Sequence, residues 1–404
     1  MKKPLSDIRV LDFTHAAAGP YATLFMGDMG ADIVKIEKPK GGDGTRSMGR
    51  PMPMLGPKET DYYVALNRNK KGIVLDLGTP QGAQIARELA KKADVVVQNF
   101  RPAVMDRLGL GYEDLRALRK GLIYCSISAF GTTGPWADRP ANDIIMQSVS
   151  GLMGITGEVG GGPVRIGAPI SDFSTGLFAL SGILAALHAR DSHPEGQHVK
   201  ITMLDASLNM MASFIPAAAM LGRKLERLGR GHDQIVPYQA FMCSDGEYVM
   251  VGAFTRGFWQ NLCKALGREE WIDDPRFVTN PARLENRAVL VGELEKIFAQ
   301  KTMAEWLQVL EKADVPNSPV FELHEAIKSE QARHIGCLQG VGDPPIQMMR
   351  SPIRADEWDN DNHRPAPRMG ADTRAVLGDW LQWDSARVEE LNHQGAFGKA
   401  RDKA

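Results

Sequence analysis

A single carboxylate stands where nucleophilic chemistry is easiest to support. Asp172 lies in Gly167-Ala168-Pro169-Ile170-Ser171-Asp172-Phe173-Ser174-Thr175-Gly176, immediately before the most apolar stretch of the chain, residues 173–189. Two readings fit a short acid at the head of a helix. It can be an N-cap that satisfies an orphan backbone N–H. It can also be a nucleophile, held ionised by the helix dipole and oriented by backbone donors, that attacks an acyl carbon in a water-poor pocket. The local pattern leaves both open.

Other chemistries lack their residues. No GxSxG elbow marks a serine nucleophile, and no HExxH marks a metal site. His188, near the end of the apolar helix, and His198, opening a strand, read as structural. His15, at a strand end, is kept as a candidate pocket residue. Cys125, Cys243, Cys263 and Cys337 are far apart with no CxxC pair, which suits reduced core thiols and a cytoplasmic protein, not zinc or a disulfide framework.

The elements that must position these residues read as α/β. Residues 9–14, 33–37, 73–77, 94–100, 122–129 and 199–201 are expected strands, several as continuous β-branched runs that suit a parallel sheet covered on both faces. Helices are expected over 21–29 and from Thr79-Pro80 to 93. The stretches 173–189 and 206–222 read as buried core helices, short of the roughly 20 apolar residues of a membrane span. Residues 240–252 read as a hairpin and 302–312 as a helix of a smaller α+β domain. The proline-rich stretch 320–370 is expected to be extended, and the tail 395–404 to fray. Residues 157–163 (GEVGGGP) read as a connecting loop that can also serve as a lid.

At 404 residues, 43% apolar and 24% charged, the chain is long enough for two or three domains. Forty-eight basic residues against 49 acidic ones leave a net charge of -1, so nonspecific nucleic-acid or membrane-surface binding has no electrostatic support. The opening MKKPLSDIRVLDF carries charges before any apolar run, which argues against a secretory signal. A βαβ start with Glu37 ending the second strand invites a dinucleotide reading. However, His15-Ala16-Ala17-Ala18-Gly19-Pro20 holds one glycine where GxGxxG needs three, and residues 41–46 lack GK[ST]. Lys35, Lys38, Lys40, Arg46, Arg68, Lys70, Lys71, Arg101 and Arg107 instead cluster near the sheet. They read either as solvated surface charges or as a basic cradle for a polyphosphorylated ligand.

Taken in order, Val10-Leu11-Asp12-Phe13-Thr14 to Gly19-Pro20, residues 30–37, Asn67-Arg68-Asn69-Lys70-Lys71, residues 94–102 and Gly131-Thr132-Thr133-Gly134-Pro135 resemble family III (CaiB/BaiF) CoA-transferases. So do Asp274-Pro275-Arg276-Phe277, Asn286-Arg287, Ser351-Pro352-Ile353-Arg354 and Pro367-Arg368-Met369-Gly370. The resemblance implies an α/β fold with a Rossmann-like parallel-sheet large domain and a smaller α+β domain. Residues 1–222 would form the N-terminal part of the large domain, 223–325 the small domain, and 326–404 a return segment completing the large one. Two chains would interlock as a homodimer.

The resemblance also places Asp172 on the family nucleophile. It implies exchange through an aspartyl anhydride and an aspartyl-CoA thioester, with a coenzyme A thioester as substrate and no permanently bound metal or redox cofactor. Lys38, Asn99, Arg101 and Arg107 fall on or beside CoA-contacting positions. Leu75, Phe100, Phe130 and Gly131 correspond to segments lining the nucleotide or thiol arm, and backbone donors around Ala17 and Ala18 would hold the reacting acyl group. The partners are an acyl-CoA and a carboxylic acid, plausibly a dicarboxylate such as succinate. Ala17 replaces a glutamine of formyl-CoA transferases, and residues 234–241 lack their glycine run, which argues against formyl-CoA and oxalate. Asn142-Asp143 stands where related α-methylacyl-CoA racemases carry a histidine, so racemisation loses a proton-transfer partner. An epimerase and a non-catalytic CoA-binding dimer are the alternatives.

Overall fold

The computed structural model describes residues 3–52, 59–343, 345–359 and 363–398. The chain forms two compact units, one of residues 1–152, 166–222 and 336–404, the other of 153–165 and 223–335.

The first unit is built on six parallel strands: β1 (Arg9–Asp12), β2 (Asp32–Glu37), β3 (Lys70–Val74), β4 (Val95–Gln98), β5 (Ile123–Ser128) and β6 (Gln197–Thr202). Their spatial order is β3-β2-β1-β4-β5-β6, with every neighbouring pair parallel. Helices α1 (Ala18–Asp28), α2 (Asp61–Asn67), α3 (Pro80–Ala90), α4 (Val104–Arg107), α5 (Tyr112–Leu118), α6 (Asp143–Ser150), α7 (Leu152–Ile155), α8 (Ile170–His188), α9 (Met203–Asn209) and α10 (Ile215–Leu221) follow in the chain to residue 222, α7 belonging to the second unit from residue 153 on. The runs Val10-Leu11 and Val95-Val96-Val97 bury alternate side chains into two cores, one on each face of the sheet. Continuous apolar strands therefore meet the two-sided burial their pattern asks for.

The third strand begins at Lys70, three residues before the expected start. Two lysines disguise it. Lys70 is fully buried, with its Nζ 3.1 Å from Asp12 Oδ2, so pairing lets a charged residue join an interior strand. Helix α8 begins at Ile170, making Asp172 its third residue and not its N-cap. At 19 residues it is long and apolar enough to span a membrane by composition alone, yet it packs on α1, β5, β6 and α9 as a core helix. Helix α10 departs from the expected buried helix. None of its residues is buried, and Met220 and Leu221 are 82% and 77% exposed.

The second unit holds an antiparallel sheet of β7 (Tyr238–Met242), β8 (Tyr248–Gly252) and β9 (Asn317–Pro319), the first two forming the expected hairpin. Helices α11 (Arg256–Ala265), α12 (Asn280–Glu285), α13 (Arg287–Phe298) and α14 (Met303–Lys312) pack its own core around Phe241, Trp259, Phe298 and Trp306. The unit runs to residue 335, through α15 (Leu323–Ala326) and α16 (Glu330–His334).

The stretch expected to be extended thus contains two short helices and then a hairpin, β10 (Leu338–Val341) with β11 (Ile346–Met349). Pro344 lies outside the described residues. That hairpin already belongs to the first unit, which the chain re-enters at residue 336. Asp372 Oδ2 accepts the Gly72 N–H at 2.8 Å, and α17 (Thr373–Leu381) buries Val376, Leu377 and Trp380 beside Leu11 and Phe13. Helix α18 (Ser385–His393) follows. The tail is anchored as far as Ala396, which is fully buried and accepts the Asp76 N–H at 2.8 Å. Residues 399–404, the rest of the expected fraying tail, lie outside the described residues.

Candidate active site

The strand order reverses between β1 and β4, and in parallel sheets a ligand crevice opens at the carboxyl ends of strands at such a point. A cavity of about 250 Å³ lies there. The segment after β1 (His15, Ala16, Ala17, Ala18), the segment after β4 (Asn99, Phe100, Arg101) and Asp172 all line it. Seven residues expected at a site therefore meet: Asp172, His15, Ala17, Ala18, Asn99, Phe100 and Arg101. Lys38 and Arg107 are exposed elsewhere on the surface, outside this cavity. Leu75 has its side chain closed inside the core. Phe130 and Gly131 follow β5 without lining the cavity, and Phe130 rests edge-on against Trp136 at 5.4 Å.

Four residues of the basic cluster have another use. Lys35 donates to Asp43 Oδ2 and to the Thr14 carbonyl, both at 2.8 Å. Arg46 binds Glu37 and Glu59, and Arg68 binds Asp28 at 2.6 Å. All are buried, so Lys35, Arg46, Arg68 and Lys70 are structural and take no part in a phosphate cradle. Glu37, which sits where an acid would hold a ribose, is spent on Arg46. Burial alone would raise Asp12, but Lys70 and Lys35 beside it hold it down to about 2.

This ionic network fixes the segment after β1. Asp43 Oδ1 accepts the Ala16 N–H at 3.2 Å, in a turn where Ala16 takes the left-handed φ of 63°. The next segment is tied to it twice: His15 N donates to Asn99 Oδ1 and Asn99 Nδ2 donates to the His15 carbonyl, both at 2.8 Å. Phe100 is set by a chain from the sheet. Its N–H donates to Gln98 Oε1 at 2.8 Å, Gln98 Nε2 donates to Ser126 Oγ at 3.0 Å, and Ser126 Oγ lies 2.8 Å from His198 Nε2. Burial, with Lys200 nearby, pulls His198 down to about 4, so it is neutral at physiological pH. A second cavity of about 270 Å³, lined by Tyr112, Ser126, His198 and Lys200, shares the Phe100-Arg101-Pro102 wall with the first.

Asp172 reaches the cavity from the first turn of α8. One turn further along, α8 comes close to α1 at Gly176, where a Cβ would stand 2.6 Å from the Ala18 carbonyl oxygen. Tyr21 and Phe173 stack beside it at 4.3 Å. Two helix N-termini, of α1 and α8, therefore converge on one small space. Burial, reinforced by the neighbouring Asp143 carboxylate, raises Asp172 to about 7. His15 is pulled below its ordinary value by burial and by Lys35. Arg139, Asn142 and Met203 also line the cavity, although the sequence did not single out Arg139 or Met203. They lie in loops or at helix starts whose positions no local periodicity reveals.

The fold is thus a Rossmann-like sheet without the glycine fingerprint, with an acid in the first turn of a helix lining its crevice. The model for CoA-transferase family III matches residues 5–373, and the chain belongs to that family. It is 36% identical to the succinyl-CoA:glutarate CoA-transferase of Mus musculus, over 99% of this chain and 92% of that one. It is 37% identical to the succinate–glutarate CoA-transferase of Agrobacterium fabrum, over 94% and 96% of the two chains. It is likewise 37% identical to the acetyl-CoA:oxalate CoA-transferase of Acetobacter aceti, over 91% and 93%. A solved CAIB/BAIF family protein from Brucella suis superposes with a TM-score of 0.85 at 33% identity, over 94% of this chain and all of that one.

Proposed function

We propose that this CoA-transferase passes CoA from an acyl-CoA to a dicarboxylic acid with Asp172 as the nucleophile. The observation that carries the reading is a half-buried carboxylate, raised to about 7, in the first turn of α8 and facing the crevice between β1 and β4. A carboxylate desolvated in this way is more basic and a stronger nucleophile than one in water. Its oxygen attacks the thioester carbon, the C–S bond breaks, and a mixed anhydride and a CoA thiolate result. The thiolate attacks the aspartyl carbonyl, expelling the donor acid and leaving an aspartyl-CoA thioester. The acceptor carboxylate reverses these steps, and the exchange balances without metal or redox chemistry. Backbone N–H groups at the head of α1, around Ala17 and Ala18, are placed to bind the developing oxyanion.

Arg101 and Arg139 in the cavity wall suit an acid with a second carboxylate, which a guanidinium binds in bidentate fashion. The names of the relatives, succinyl-CoA:glutarate among them, support the same class. One relative is named for oxalate with acetyl-CoA, so oxalate belongs in the panel of acceptors. Phe100, Arg101 and the adjoining second cavity offer room for the thiol arm, while Lys38 and Arg107 are exposed cations for the phosphates.

We also propose a homodimer, supported by apolar side chains left open on α8 (Leu177, Phe178) and α10 (Met220, Leu221). A reducing compartment, the cytoplasm, suits the four free cysteines, and cell fractionation checks it.

Mass spectrometry of succinyl-CoA incubated with a panel of acids tests the activity. New acyl-CoA is expected with wild type, with a loss of at least about a thousandfold in Asp172→Ala. Undiminished exchange in Asp172→Ala, or none in wild type with any acid, overturns the reading.

A further inference from the structure

Helix α8 does not cap itself. Its N-cap is Pro169, which offers no side-chain acceptor. The missing acceptor comes from α6: Asp143 Oδ1 takes the Ser171 N–H at 2.9 Å and the Asp172 N–H at 3.3 Å. The other Asp143 oxygen accepts Gln147 Nε2 at 2.7 Å. Gln147 is itself oriented, because its Oε1 accepts the Ile166 N–H at 2.8 Å, so its NH2 group must face Asp143. All three donors to Asp143 are neutral. A buried carboxylate thus grips the backbone of the residue that carries the second carboxylate.

The other groups around Asp172 supply no equally direct charge. Tyr62 of α2 lies close enough that burial, Asp172 and Asp143 push its phenol up to about 12, so it stays protonated. Tyr21 of α1 stacks on Phe173. His15, Arg101 and Arg139 line the cavity from three loops, with the Arg139 guanidinium resting 4.8 Å from the Trp136 ring. From α9, Ser207 Oγ donates to Ser171 Oγ at 2.9 Å, while Asp205 is exposed and bonds Thr202.

We propose that Asp143 is a positioning residue for the acyl exchange: it fixes the first turn of α8, and its charge favours the acylated forms of Asp172 over the free carboxylate. This rests on the reading of Asp172 as nucleophile. In the first half of the exchange, the Asp172 carboxylate and an acyl-CoA become an aspartyl-CoA thioester and a free donor carboxylate. The Asp172 Oδ–acyl carbon bond forms and the Asp172 Cγ–Oδ bond breaks, so the donor acid leaves with the aspartyl oxygen; one C–S bond breaks, another forms, and no net charge is created. The negative charge moves from beside Asp143 into water. Like-charge repulsion therefore destabilises the free enzyme and neither the anhydride nor the thioester. Asp143 raises the occupancy of the covalent intermediate by raising the energy of the state before it.

The test compares wild type with Asp143→Asn and Asp143→Ser at a fixed ratio of succinyl-CoA to succinate. Asn keeps a carbonyl oxygen for the α8 N–H groups, Ser keeps a shorter acceptor that does not oppose the Gln147 NH2 with a second NH2, and both lack the charge. Intact-mass spectrometry after acid quenching reads the ratio of aspartyl-CoA adduct to free enzyme, and kcat/KM is measured across pH. At pH 8, where free Asp172 is ionised, the expected result is an adduct ratio lower by about tenfold. The rising limb of kcat/KM should also move from about pH 7 to lower pH, while Asp143→Glu, which keeps the charge, stays near wild type. An unchanged adduct ratio and an unchanged midpoint in whichever uncharged variant folds overturn the proposal while leaving the nucleophile assignment intact. No adduct in wild type overturns the assignment itself, and the proposal with it.

Discussion

Asp172 illustrates how one environment sets both chemistry and stability. Its native value of about 7 lies above the ordinary 3.8, so between those limits the folded chain binds more protons than the unfolded one. Stability therefore falls as pH rises through about 4 to 7 and is lowest, from this group, above 7. Asp172→Asn removes the cost. Thermal and denaturant unfolding should show the variant more stable than wild type by on the order of 2–4 kcal/mol at pH 8 and nearly equal at pH 4. A gap independent of pH would remove burial as the cause. Residue type alone pointed to Asp172 because an acid beside a long apolar run is conspicuous. It misled at Lys35, Lys70, Arg46 and Arg68, since a lysine or arginine reads the same whether it faces water or a buried carboxylate. Their partners Asp43, Asp12, Glu37 and Asp28 are from eight to 58 positions away, and only folding brings them together.

At the scale of elements, the site depends on how closely two helix heads approach. Gly176 on α8 meets the Ala18 carbonyl, and a methyl group there has 2.6 Å where ordinary contact needs well over 3 Å. Gly176→Ala should cost about 1–3 kcal/mol in denaturant unfolding and should lower kcat more than it raises KM, because it moves Asp172 relative to the head of α1. A variant with wild-type stability and turnover would show that this contact is slack. Strands β1, β2, β4 and β5 were legible within one or two residues from their apolar runs. The start of α8 was not, because its cap comes from Asp143, 28 positions before Ser171 in the chain. The helices and hairpin in 320–370 were hidden by prolines that mark turns between elements as well as extended chain.

For the whole molecule, the 3-2-1-4-5-6 strand order places the crevice at the carboxyl ends of β1 and β4. The return of residues 336–404 closes one core with Trp380, whose Nε1 donates to Asp32 Oδ2 at 2.9 Å. Apolar side chains still open on α8 and α10 are expected to be covered by a second chain. Sedimentation velocity at micromolar concentration should give about twice the mass of one chain, 44.3 kDa. A single-chain mass there would leave those faces without the proposed partner.

The sequence by itself determined the α/β class, most strands, the prominence of Asp172 and the loss of a dinucleotide fingerprint, because each rests on local periodicity or on a residue present or absent at one place. Only the tertiary structure decided which charges are buried pairs, which segments wall the cavity, and that Asp143 holds the turn bearing Asp172. Those facts are contacts between residues distant in the chain, and their energies depend on burial that no local pattern encodes.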